Sequence, residues 1–121
     1  MTIKWVQVDP LVMNGEPFCY GSRLTVRQLL ELRSNGYDLT RLITDHPELK
    51  RVGIAAAYAY AAANRDRYGD FFEPDGSLVG PGYTELEADG LPAQYRIPGI
   101  VIKPAMAGRA AAGTVSAAEV R

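Results

Sequence analysis

A chain of 121 residues in which 47% are hydrophobic is long enough for one domain with a buried core and an appendage. Its net charge of −1 argues against an indiscriminate polyanion binder, which carries a strong basic excess. The single cysteine, Cys19, excludes an internal disulfide framework.

Residues 1–70 hold 9 basic and 8 acidic groups and residues 71–121 hold 4 and 6, so the N-terminal part is the better candidate for meeting phosphate. No basic-plus-apolar leader and no apolar run of membrane-spanning length is read from the sequence, so a cytoplasmic protein is expected.

Ile3 to Val8 alternates roughly between apolar and polar side chains and predicts a strand. Asp9-Pro10 ends it, Asn14-Gly15 marks a tight turn, and Phe18-Cys19-Tyr20 predicts a second strand able to pair with the first. An isolated two-stranded ribbon is marginal in water, so it needs a surface to lie on.

Thr25 and Gln28 have the spacing of a capping box, and Val26, Leu29 and Leu30 share one helical face. A first helix is predicted from Val26 to Asn35, stopped at Gly36. Asp38 predicts the N-cap of a second helix, Leu39 to Asp45, which Pro47 prevents from continuing. A third helix, rich in alanine, is predicted from Arg51 to Tyr68. Tyr58 and Tyr60 are two positions apart, so one is expected to pack inward and the other to face a partner.

From residue 69 onward lie 5 of the 8 prolines and 8 of the 12 glycines. That density breaks regular structure, yet Phe71, Phe72, Ile100 and Ile102 are apolar enough to pack on the domain or on a partner. Ile100-Val101-Ile102 predicts a short strand, Ala105 to Arg121 a frayed Ala/Gly/Ser-rich tail, and Ala117 to Arg121 a helical turn within it. The fold class expected is mainly α: a short N-terminal β-ribbon plus a three-helix bundle over residues 1–68, then a Gly/Pro-rich C-terminal extension over 69–121.

No constellation for catalysis is read. His46, the only histidine, has no second His or Cys spaced to share a metal, and reads as a helix-end residue held by Pro47. Cys19 lies in an apolar strand and reads as a small hydrophobe. Gly80-Pro81-Gly82 lacks the Lys-Ser/Thr of a phosphate loop. No catalytic residue, metal or cofactor is expected. Arg23, Arg27, Arg41, Lys50 and Arg51 are the candidates for a nucleic-acid backbone. Lys50 and Arg51 stand at a helix N-terminus, where cations oppose the dipole unless an anion sits between them and the free N–H groups.

From about Val8 to Tyr68 the sequence resembles the family catalogued as domain of unknown function 433. The resemblance rests on Val8-Asp9-Pro10, Met13-Asn14-Gly15-Glu16-Pro17, Gly21-Ser22-Arg23-Leu24-Thr25-Val26, Leu42 to Leu49 and the Ile54 to Ala63 helix. Where relatives open the third helix with Thr or Ser followed by acidic residues, Lys50-Arg51-Val52-Gly53 stands here. The resemblance implies a helix-turn-helix-like body and a VapB-like antitoxin of a type II toxin–antitoxin pair. Such a prokaryotic protein is expected to neutralise a PIN-like ribonuclease and to bind operator DNA for autoregulation.

In a helix-turn-helix the second helix of the pair enters the major groove, which here makes the third helix the reader. Its body carries no base-reading side chain before Asn64 and Arg65, so a homodimer is expected, formed through the N-terminal strands or the third helix. Tyr58, Tyr60, Phe71, Phe72, Ile100 and Ile102 are the partner-binding candidates. A stand-alone transcription regulator and a protein-interaction module without DNA binding are the competing readings.

Overall fold

The computed structural model describes residues 5–11 and 15–102. Expectations for Ile3-Lys4, for Met13-Asn14 and for the tail from Ala105 to Arg121, with its turn at Ala117–Arg121, lie outside the described residues.

Val6–Gln7 (β1) and Phe18–Cys19 (β2) pair antiparallel, Val6 opposite Cys19. β2 is held on its other side by the chain that leads into the first helix. Cys19 N–H donates to Leu24 O at 2.9 Å, and Val26 N–H donates to Pro17 O at 2.9 Å. The ribbon therefore continues directly into the helical body.

The first helix, Val26–Ser34 (α1), opens on the predicted capping box: Gln28 N–H donates to Thr25 Oγ1, and Thr25 N–H donates to Gln28 Oε1. Gly36, at φ +95°, supplies the left-handed residue that ends it. The second helix, Leu39–Asp45 (α2), has its predicted bounds, and Asp38 Oδ1 accepts from Arg41 N–H at 2.9 Å.

The third helix, Arg51–Ala63 (α3), is shorter than the predicted span to Tyr68. Asn64 Nδ2 donates to Tyr60 O at 2.8 Å, and i+3 bonds from Arg67 to Asn64 and from Tyr68 to Arg65 replace the helical ladder. Asparagine competes with its own backbone in this way, and alanine propensity before it does not outweigh the effect.

α3 is the hub. It packs against α1, both strands and a 3-10 turn at Ala93–Tyr95, and residues 53–58 are buried without interruption. Its small side chains make that possible, since a Cβ at Gly53 would already stand 3.4 Å from the Trp5 ring. The ribbon finds here the surface it needs.

Residues 69–102 fold back onto this body. A 3-10 turn at Gly69–Phe71 and a one-turn helix, Glu85–Ala88 (α4), capped by Thr84 and Glu87, are its local structure. Leu78, Tyr83, Ala88, Leu91, Ile100 and Val101 share one hydrophobic core with Val26, Leu29, Leu30, Leu42, Ile54 and Tyr58. The boundary expected after residue 68 thus does not divide two cores. The predicted strand at Ile100–Ile102 is instead a turn, in which Ile97 O accepts from the amides of Ile100, Val101 and Ile102 around Gly99 at φ +82°. Isolated bridges from Ile102 to Tyr83 and to Pro98 are all that remains of strand pairing there.

Candidate functional site

The five cations singled out for phosphate contact are spread over four segments. Arg23 is exposed in the turn after β2. Arg27, on α1, lies over the rings of Tyr68 and Phe71 and donates to Arg67 O at 3.2 Å. Arg41, on α2, lies 3.9 Å over the Tyr37 ring, donates to the Tyr37 hydroxyl and pairs with Asp45 at 3.9 Å. Those interactions tie Arg27 to the extension and Arg41 to its own helix.

Lys50 and Arg51 are adjacent and exposed at the start of α3. No side chain caps this helix, so its first N–H groups have no such acceptor. Glu87, Asp89, Leu86 and Leu91 from the extension line a shallow hollow beside Arg51, and the Tyr83 hydroxyl donates to Arg51 O. The extension therefore brings carboxylates to the same end of α3, where they lower its attraction for phosphate.

The burial of α3 bears on how it could lie in a major groove. A reading helix must present one face to the groove. Residues 53–58 of α3 are buried, while Lys50, Arg51 and Ala63 are exposed and Val52, Ala59, Tyr60 and Ala62 are half-buried.

The partner-binding candidates also divide. Tyr58, 2% exposed, and Ile100, 5% exposed, belong to the core and are corrected from surface to interior. Tyr60 is half-buried and meets Tyr68 edge-on at 6.4 Å. Phe71, Phe72 and Ile102 are half-buried against the core.

The strongly exposed apolar side chains lie elsewhere. Val8, Leu11 and Tyr20 sit at the ribbon, 58%, 94% and 50% exposed, and Leu86 stands out from α4. Tyr20 is held by its N–H to Trp5 O at 2.8 Å and by an edge-on contact of its ring with the Trp5 indole. Their signal in the sequence was faint, because single apolar residues in a short strand read equally well as core.

Arg33 was not singled out in the sequence. It is fully buried on α1, 4.5 Å over the Tyr58 ring, with Nη1 donating to Ile100 O at 2.5 Å. Its Nε and Nη2 have no acceptor. Burial lowers its pKa from the ordinary guanidinium value.

Cys19 is buried, and desolvation pushes its thiol up to about 12, so it stays a neutral thiol rather than a nucleophile. His46 caps the end of α2 and stands 3.9 Å from Glu48. Among the described residues no group of three or more His, Cys, Asp or Glu is placed to hold a metal ion. Among them, too, no helix is long and apolar enough to cross a membrane.

Residues 6–61 match the model of a family described as a protein of unknown function, DUF433. The match covers the ribbon and α1 to the body of α3 and stops short of the extension. No curated protein and no solved structure matches the chain.

Proposed function

Since residues 6–61 belong to the DUF433 family, we propose that this chain is a partner-binding protein of antitoxin type that works by covering another protein, and that it catalyses no reaction. The observation that carries this reading is the exposed apolar group on the ribbon: Val8, Leu11 and Tyr20. Large apolar side chains left exposed at and beside the ribbon support a surface that another macromolecule covers. The partner is the one the family resemblance implies, a PIN-like ribonuclease of the same prokaryotic cytoplasm. Two copies of the chain meet through the ribbon, where Val8 and Tyr20 are exposed.

The test is co-expression with a PIN-like ribonuclease encoded beside the gene. Stoichiometric addition of the chain is expected to suppress RNA cleavage. Tyr20→Asp combined with Val8→Asp is expected to weaken that suppression about a hundredfold, in the range of interface hot spots. The fold is expected to persist, because both side chains are exposed. A ribonuclease that cleaves equally well with and without the chain rejects this reading.

A second reading is favoured by the uncapped start of α3. Lys50 and Arg51 there supply contacts to the phosphates of operator DNA, without insertion of α3 into a groove. Replacing both by Glu is expected to reduce the slope of log affinity against log salt by about 2 for duplex DNA, one contact per residue. An unchanged slope removes these two residues from any DNA surface.

A further inference from the structure

The extension keeps its backbone hydrogen bonds largely to itself. Leu78 N–H donates to Gly99 O, Val79 N–H to Phe71 O, Tyr83 N–H to Val101 O and Gly99 N–H to Ile102 O. Side chains make the crossing bonds to the body. Arg33 reaches Ile100 O, Arg65 reaches Gly76 O at 2.6 Å, and the Tyr83 hydroxyl reaches Arg51 O. Arg27 and Arg65 add ring contacts to Phe71 and Phe72. A segment with its own internal framework, tied by side chains, can leave a body without unravelling it.

Two forces act on the closed arrangement. Burial of Leu78, Tyr83, Leu91, Ile100 and Val101 holds it shut. Arg33 opposes that. Its guanidinium is always charged, it is out of contact with water, and no ion pair among the described residues includes it. One carbonyl and the Tyr58 ring do not replace its hydration, and two of its three nitrogens are left without acceptors. Lifting Ile100 away returns the guanidinium to water.

We propose that residues 69–102 form a releasable strap that opens as one unit while α1, α2 and α3 stay folded, and that buried Arg33 is the group that favours opening. The strap then acts as a built-in cover over the α1 and α3 surfaces around Tyr58. This device is independent of which partner the ribbon binds.

Native-state hydrogen exchange of the full chain tests it. The strap amides of Leu78, Tyr83 and Val101 are expected to be protected at least about a hundredfold less than the buried amides of α3, with a weaker dependence on added denaturant. Arg33→Met removes the charge and keeps much of the volume. It is expected to raise strap protection about tenfold and to leave α3 unchanged, even though Ile100 O loses its donor. Arg33→Lys keeps the charge, and strap protection is expected to stay at or below that of the native chain. Equal protection of strap and α3 amides in the native chain overturns the proposal without recourse to any variant. So does an Arg33→Met chain whose strap protection is unchanged or lower.

Discussion

Replacing Gly80 by Ala is expected to lower the unfolding free energy by about 3 kcal/mol or more, among the largest effects of any conservative change in the chain. Two costs combine. Gly80 has φ +94°, where an L side chain is strained by about 1–2 kcal/mol. The added Cβ would also overlap the Arg33 carbonyl oxygen and stand 2.7 Å from its carbonyl carbon and 2.9 Å from its Cγ. The oxygen and the carbonyl carbon are backbone at the end of α1, so the strap must back away rather than a side chain turn aside. Gly36→Ala separates the two costs. Gly36 has φ +95°, but a Cβ there meets nothing within 4 Å, so only the strain of about 1 kcal/mol is expected. Urea unfolding of both variants measures the difference. Equal losses would show that the strap does not seat on the end of α1.

What was legible in the sequence was local. The Thr25–Gln28 box, the Asp38 cap and the stop at Gly36 are each decided within four residues, and each stands where the pattern placed it. The overrun of α3 is a local contest misjudged: the alanine run was weighed, and the carbonyl-seeking Asn64 after it was not. The buried arginine was within reach as well. Val26, Leu29, Leu30 and Arg33 follow the i, i+3, i+4, i+7 spacing of one helical stripe, and all four are buried.

The course of the extension was not legible, because its fit depends on contacts between residues far apart in sequence. Gly80 on Arg33, Tyr83 on Arg51 and Ile100 on Arg33 leave no period in the chain. The candidate site suffered most from this. Tyr58 and Ile100 looked like partner surface because the segments that cover them could not be placed in advance.

The protein is expected to lose stability steeply above about pH 9, from burial of its thiol and phenols. Cys19 is held at about 12 in the folded chain against 9.0 for a free thiol, and Tyr58 at about 12 against 10.0, in both cases chiefly by desolvation. Desolvation also raises Tyr83 well above the ordinary phenol range, and Tyr68 moves the same way. The sign follows from proton counting. Between the free and the folded value the unfolded chain releases the proton and the native chain keeps it. The native state then binds more protons, and stability falls as pH rises; below the free value the whole contribution is present. Each group removes about 1.4 kcal/mol per pH unit across its window. Cys19, Tyr58 and Tyr83 together remove at most about 10 kcal/mol by pH 12, comparable with the stability of an ordinary domain, about 5–15 kcal/mol. The windows open at different points, which makes the cause testable. From about pH 9 to 10 the thiol removes about 1 kcal/mol and the phenols, half-ionised in the unfolded chain at 10.0, about as much between them. In a Cys19→Ala chain, stability measured by urea titration is expected to fall over that unit by about half as much as in the native chain. Above pH 10 both chains are expected to fall, the native chain more steeply by about 1.4 kcal/mol per pH unit. A native chain whose stability holds level to pH 11 would mean that water reaches Cys19, Tyr58 and Tyr83 freely, and that the shared core joining α1, α3 and the strap does not exclude it.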